Sequence, residues 1–173
     1  WDHVDFKTRE WFIPRENVKS TRGKKQDHHV FLSDFALVQF KRLYEESGHA
    51  EWCFPSKDEK SHVDVKSVSK RIGDRQVKFK DRTKEGMNRR HDNSLAVGDR
   101  EWTPHDLRRT GATMMQELGI DINIIDRCQN HVLAGSKVRR HYLKYEYKEE
   151  KTKAWGLLGS RLEELLAMSS KET

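Results

Sequence analysis

The chain has 173 residues and a net charge of +6, from 34 Lys or Arg against 28 Asp or Glu. This length predicts one globular domain with a real core and is too short for two comfortable ones. The excess of cations favours a polyanionic partner such as nucleic acid, although a merely soluble basic protein has the same balance. No apolar run approaches the roughly 20 residues that cross a bilayer, so this sequence is expected to contain no membrane-spanning segment.

The first 32 residues predict a small antiparallel sheet. Three apolar segments, Val4 to Phe6, Trp11 to Ile13 and His29 to Leu32, are separated by polar turns. The segment RENVKSTRGKKQDHH between the second and third strands predicts a long cationic hairpin tip, which is either a solvated loop or an element that reaches a DNA groove. Its cations are Lys19, Arg22, Lys24 and Lys25.

The middle of the chain predicts one helix followed by a very polar stretch. Ser33 is a good N-cap and Gly48 a good stop for a helix with apolar residues at helical spacing. Residues 66–71 have a helical pattern, whereas KDRTKEGMNRRHDN over residues 80–93 is typical of an exposed loop. Adjacent His28 and His29 face opposite sides of a strand, which argues against a shared metal.

A strong helix start lies at residues 103–106, where the N-cap Thr103 is followed by proline and, at the third helical position, by Asp106. Gly119 ends this helix. His105 and Arg108 therefore share one face of its first turn, where unpaired N–H groups favour phosphate. The predicted buried face consists of Leu107, Met114, Met115 and Leu118.

Asp121 is the predicted N-cap of a further short helix that runs into Asn130 and His131. Residues 137–151 have a helical pattern that includes Tyr142. The leucine-rich C-terminal stripe that follows packs either on its own domain or on a neighbouring subunit. Cys53 and Cys128 lie far apart without a CxxC pair, which argues against a disulfide framework or zinc ribbon and favours a reducing, intracellular compartment.

Three features follow one another along the chain: the run HDLRRT, the Asn130-His131 pair, and a tyrosine about a dozen residues later in HYLKYEYKEEKTKAW. Together they resemble the tyrosine recombinase family, specifically phage-type integrases. The resemblance extends upstream to three further segments: WDHVDF, WFIP and the K-S-T…H-x-V-x-L pattern. Together they are similar to the strand, the hairpin lysine and the third strand of that family's catalytic domain. The resemblance is weakest over residues 57–100. It implies an α+β, mainly helical fold of the DNA breaking-rejoining type, with a three-stranded antiparallel sheet beside a helical catalytic core.

The resemblance also implies a role for each matching residue. Tyr142 is the expected nucleophile, which forms a 3′-phosphotyrosine, and Arg108 neutralises the non-bridging phosphate oxygens. His105 handles a proton and His131 donates a hydrogen bond to the same phosphate. Lys19 protonates the leaving 5′-oxygen. Tyr145 and Tyr147 are competing candidates for the nucleophile, but the family pattern places it before a short polar-aromatic stretch, which favours Tyr142.

A phenol has a pKa near 10, so its attack at neutral pH needs a cationic pocket and a base. Fixed cations can replace Mg²⁺ in stabilising the transition state, so the family needs no metal or cofactor. Arg109 lies about 100° further round the helix and is expected to contact DNA backbone or a structural carboxylate. Arg139 and Arg140 are expected to contact phosphate or to be solvated.

The expected protein is a site-specific recombinase of a prophage or other mobile element, cytoplasmic in a bacterial host or phage. It binds double-stranded DNA and self-associates, as a tetramer on DNA in the full-length protein. A second family arginine, in a GxRxxE-like helix before the first strand, has no match here. Residues 1–173 are therefore expected to be a single catalytic domain truncated at its N-terminus and impaired in cleavage. A type IB topoisomerase-like enzyme and a non-catalytic or decayed DNA-binding module are the alternatives.

Overall fold

The computed structural model describes residues 1–18, 26–76, 95–98, 100–131 and 145–170. Three short strands come first, followed by α-helices. The strands are β1 (Val4–Asp5), β2 (Glu10–Ile13) and β3 (His28–Phe31). The helices are α1 (Asp34–Ser47), α2 (Val65–Asp74), α3 (Pro104–Glu117), α4 (Ile122–Cys128) and α5 (Lys148–Ser169).

The strands form one antiparallel sheet in the order β1-β2-β3. Trp11 pairs with Val4 on one side and with Val30 on the other, which fixes the register of the whole sheet. This sheet and the helices after it confirm the predicted α+β class. The connection from β2 begins with a 3-10 turn, Arg15–Asn17. The predicted cationic tip, residues 19–25, lies outside the described residues.

The helix ends lie where local hydrogen bonding places them. The Ser33 side chain accepts from the Ala36 N–H at 3.3 Å and begins α1. The Asp121 carboxylate accepts from the Asn123 N–H at 2.8 Å and begins α4. Gly119 follows α3 with φ +76°, a conformation that glycine adopts without the usual steric cost. The predicted starts and stops of these helices are confirmed.

The main core lies where α3, α4 and α5 meet. Its buried members are Met115, Ile125, Cys128 and Ala154. α5 also packs against α1 and β3, so this one helix joins the sheet to the helical part of the fold. Within the described ranges, no helix combines the length and apolarity that crossing a bilayer requires.

Two predicted features of the helices are wrong. Leu107, expected on the buried face of α3, is 60% exposed, because the first turn of α3 extends beyond the core. In the described part of the helix predicted over residues 137–151, residues 145–147 are not helical and the helix starts at Lys148. Tyr147 has φ +54° and ψ +39°, a left-handed conformation that interrupts a right-handed helix. Residues 137–144 of that prediction lie outside the described residues.

The leucines of the C-terminal stripe differ in burial: some pack on the core and others lie at the surface. Leu158 packs against the core and Leu162 is half-buried, as expected for packing on the chain's own domain. Leu165 and Leu166 are 38% and 56% exposed. The second half of α5 therefore keeps apolar side chains at the surface.

Candidate active site

The first turn of α3 presents two of the predicted site residues, His105 and Arg108, with exposed side chains. The turn is fixed by Asp106, whose carboxylate accepts from the Thr103 N–H at 2.9 Å and from the Thr103 hydroxyl at 2.8 Å. These hydrogen bonds hold the pKa of Asp106 below its usual value. The cap therefore carries a fixed negative charge that stabilises the helix start.

Arg108 is tied to the end of α4 by two reciprocal hydrogen bonds. Its guanidinium Nη2 donates to the backbone carbonyl of Gln129. In return the side-chain Nε2 of Gln129 donates to the Arg108 carbonyl at 2.8 Å. In the part of the chain that the structure describes, no carboxylate forms an ion pair with Arg108. Among the described residues its charge is therefore not neutralised by a carboxylate, and the guanidinium can bind an anion.

His131 follows α4 and is oriented by Asp126. Its ring Nδ1 lies 2.9 Å from the Asp126 Oδ1, and its backbone N–H donates to the Asp126 carbonyl at 2.8 Å. Asn130 between them has φ +53°, which reverses the chain after the helix. When Nδ1 donates to the carboxylate, Nε2 is the ring atom left for another partner. The ring is about half exposed, so that partner can come from solvent.

Arg108 is bonded to Gln129, which precedes His131 by two residues, and His105 lies on the same first turn of α3 as Arg108. Arg109 is also exposed, and its Nη1 lies 3.5 Å from the Asp106 Oδ1. A structural carboxylate is therefore adjacent to Arg109, and its contact with DNA stays a prediction. The other predicted residues lie outside the described residues: Lys19, Arg22, Lys24, Lys25, Arg139, Arg140 and Tyr142.

His28 is a residue that sequence reasoning missed. At the start of β3, its side chain is only 8% exposed. Burial, followed by the positive charge of Lys151, lowers its pKa to about 4, although a hydrogen bond with the Cys128 carbonyl opposes the shift. Arg108 contributes in the same direction as Lys151. The alternation of β3, which puts residues 28 and 30 on one face, is the signal that indicates burial.

Lys151 and Gln129 were missed as well. Lys151 is half-buried on α5, and within the described ranges it has no ion pair. Its charge acts on both His28 and Cys128. Burial raises the pKa of the Cys128 thiol to about 11, so this cysteine is a protonated core residue and not a nucleophile. Nothing in the sequence alone marks Gln129, because its partner is 21 residues away.

The arrangement can bind a phosphate and move protons beside it. Arg108 supplies an exposed, planar guanidinium with several N–H donors. One exposed imidazole, His105, lies on the same helical turn, and another, His131, follows α4. Among the described residues, no group of three or more His, Cys, Asp or Glu side chains is placed to hold a metal ion.

Comparison with known proteins found a matching family model and a similar curated protein. The family model described as the phage integrase family matches residues 1–149. The prophage integrase IntA of Escherichia coli (strain K12) is 29% identical over 151 residues, which cover 87% of this chain and 30% of that protein. The chain thus spans less than a third of the length of this relative. No solved structure matches the chain.

Proposed function

This chain belongs to the phage integrase family, and we propose from that membership that it is the catalytic domain of a site-specific DNA recombinase. It cuts and rejoins double-stranded DNA through a 3′-phosphotyrosine. One observation carries the proposal: the exposed Arg108, without a carboxylate partner in the described residues, is held by Gln129 beside His131 and shares a helical turn with His105.

In the proposed reaction the Tyr142 oxygen attacks the scissile phosphorus. A bond forms between this oxygen and phosphorus, the bond to the 5′-oxygen breaks, and the phenolic proton passes to a base. Arg108 neutralises the non-bridging oxygens as charge develops on them. His105 and His131 donate to the same phosphate or move protons, and Lys19 gives a proton to the leaving 5′-oxygen. Attack by another 5′-hydroxyl reverses the sequence and joins a new strand.

The surroundings of the competing tyrosines support Tyr142 as the nucleophile. Desolvation and the negative charge of Glu150 raise the pKa of Tyr145, and its hydroxyl lies 3.3 Å from the Glu150 Oε2. A raised pKa lowers the fraction of phenolate and so disfavours attack. Tyr147 stacks under the guanidinium of Arg127, with 3.9 Å between the Cζ atom and the ring centroid. Both rings thus have other contacts.

The test is the formation of a covalent adduct on a nicked suicide DNA substrate that traps the cleaved strand. We expect the full-length protein that contains this chain to form an adduct stable in SDS, in the presence of EDTA. Tyr142→Phe is expected to abolish the adduct, because the attacking oxygen is removed. Tyr145→Phe is the matched control and should retain it.

An adduct that persists in Tyr142→Phe but disappears in Tyr145→Phe would show that the nucleophile is misassigned. A protein that binds DNA normally and forms no adduct would support the non-catalytic module instead. Relaxation of supercoiled plasmid irrespective of sequence, without exchange of partners, would favour the topoisomerase-like alternative. A strict requirement for Mg²⁺ would contradict the mechanism.

A further inference from the structure

We infer that Arg127 and Tyr147 are positioning residues that fix the C-terminal side of the nucleophile segment against α4. This inference rests on the proposed function, because it assigns the pair a purpose in placing Tyr142. Arg127 lies near the end of α4, and Tyr147 is the residue directly before α5. Neither touches the reacting atoms in the proposed mechanism.

The contact between the two side chains is close. The Arg127 Cζ lies 3.9 Å from the centroid of the Tyr147 ring, well within the range of a cation–π interaction. The Arg127 Nε is buried and finds no hydrogen-bond partner among the residues that the structure describes. No carboxylate in the described ranges pairs with this guanidinium either. Among the described residues, the Tyr147 ring is therefore the group that offsets the positive charge of Arg127.

The backbone of Tyr147 indicates that its position is imposed by these surroundings. Its φ of +54° and ψ of +39° are left-handed, which is unfavourable for a bulky residue and persists only where the environment determines it. Its carbonyl accepts from the Lys151 N–H at 2.9 Å, and its ring lies 4.7 Å from that of Tyr145. Tyr147 thus begins α5 with its ring turned onto α4.

Along the chain, each member of the pair lies close to one part of the proposed site. Tyr147 follows Tyr142 by five residues, a span of at most about 18 Å of extended chain. On the other side, Arg127 precedes Gln129, which bonds Arg108, by two residues. Fixing Tyr147 to α4 therefore limits how far Tyr142 can move from Arg108. When the range of motion of the Tyr142 hydroxyl is smaller, the hydroxyl spends a larger fraction of the time in a geometry from which it can attack the phosphate.

The surroundings of Arg127 distinguish it from a DNA-contacting cation. Arg109 is exposed, whereas Arg127 is half-buried and covered on one face by the tyrosine ring. A residue that binds phosphate directly would present its guanidinium to solvent. Loss of Arg127 is therefore expected to change the rate of strand cleavage rather than the affinity for DNA.

The test measures single-turnover cleavage of the nicked substrate at saturating DNA by the full-length protein. Tyr147→Leu removes the aromatic face, and Arg127→Met removes the charge at similar length. We expect each to slow adduct formation about tenfold, with the Kd for DNA within about twofold. Tyr147→Phe keeps the ring and should restore most of the rate. Arg161→Met is the matched control, because Arg161 forms an ion pair with Glu164 on α5 itself, and should leave the rate unchanged.

Amide hydrogen exchange over residues 145–150 gives a readout independent of activity. Faster exchange is expected in Tyr147→Leu and Arg127→Met and not in Tyr147→Phe. Unchanged exchange in the first two variants would overturn the inference, as would weakened DNA binding with a normal rate at saturation. If the unsubstituted protein forms no adduct, the proposed function fails, and the exchange measurement still decides whether the pair anchors the segment.

Discussion

His28 shows how a single side chain connects the sheet to the candidate site. Its imidazole is buried, and the nearby charges of Lys151 and Arg108 both disfavour its protonation. A neutral ring in this position can accept or donate a hydrogen bond without adding a third positive charge. The Cys128 carbonyl is its backbone partner, which joins β3 to the end of α4.

The lowered pKa of His28 predicts a loss of stability in acid. In the unfolded chain a histidine takes up its proton near pH 6.5, whereas in the folded protein His28 does so only at about 4. Between these values the unfolded state binds more protons, so the free energy of unfolding falls as pH is lowered through that window. We expect His28→Gln to reduce this fall by roughly 2 kcal/mol.

Urea denaturation at pH 7 and at pH 4.5 measures the effect. His62→Gln, which replaces an exposed histidine, is the control. Its free energy of unfolding should fall between pH 7 and pH 4.5 as much as that of the parent chain. If the free energy of unfolding of His28→Gln falls as much as that of the parent chain over this pH range, the assignment of His28 as the buried titrating group is contradicted.

At the scale of elements, α5 is the helix on which the rest of the fold is assembled. It packs on α1, α3, α4 and β3. The approach to α1 is close because residue 159 is glycine: an added Cβ would lie 2.6 Å from the Ser33 Cβ. Ser33 is itself the N-cap of α1, so neither side of this contact moves freely.

Gly159→Ala is therefore expected to destabilise the protein by about 1–3 kcal/mol, as overpacked sites do. Gly156→Ala is the matched control on the same helix. Nothing lies within 4 Å of a Cβ added at Gly156. There alanine should stabilise by about 0.5–1 kcal/mol through its higher helix propensity. Thermal unfolding of both variants tests the prediction, and equal melting temperatures would contradict it.

At the scale of the whole molecule, we propose that protomers bound to DNA associate through the exposed C-terminal end of α5. Leu166 is 56% exposed and Met168 is 59% exposed, beyond the part of the helix that packs on the core. Apolar side chains grouped at a surface favour contact with another protein surface. The first half of α5 is already covered by its own domain.

Leu166→Ser is expected to leave the melting temperature unchanged and to reduce assembly of several protomers on one DNA. Glu163→Gln, at an exposed polar position of the same helix, should assemble normally. Gel-shift experiments that separate one bound protomer from higher complexes measure the difference. Normal assembly by Leu166→Ser would show that this surface is not the contact.

Much of the fold could be predicted because it depends on neighbours in sequence. Thr103 and Asp106 are three residues apart and form their cap without help from the rest of the chain. The alternation of β2 and β3 likewise predicts the sheet. Leu107 was misplaced because a helical pattern shows which residues share a face, but not where the core ends along that face.

The sequence by itself determined the α+β class, the helix caps, the positive charge and the shared turn of His105 and Arg108, since each depends on composition or on residues a few positions apart. Only the tertiary structure decided that Gln129 holds Arg108, that His28 is buried and that Tyr147 rests on Arg127. These contacts join residues about 20 or more positions apart. They form only when α3, α4 and α5 pack together, and no local pattern specifies which side chains then meet.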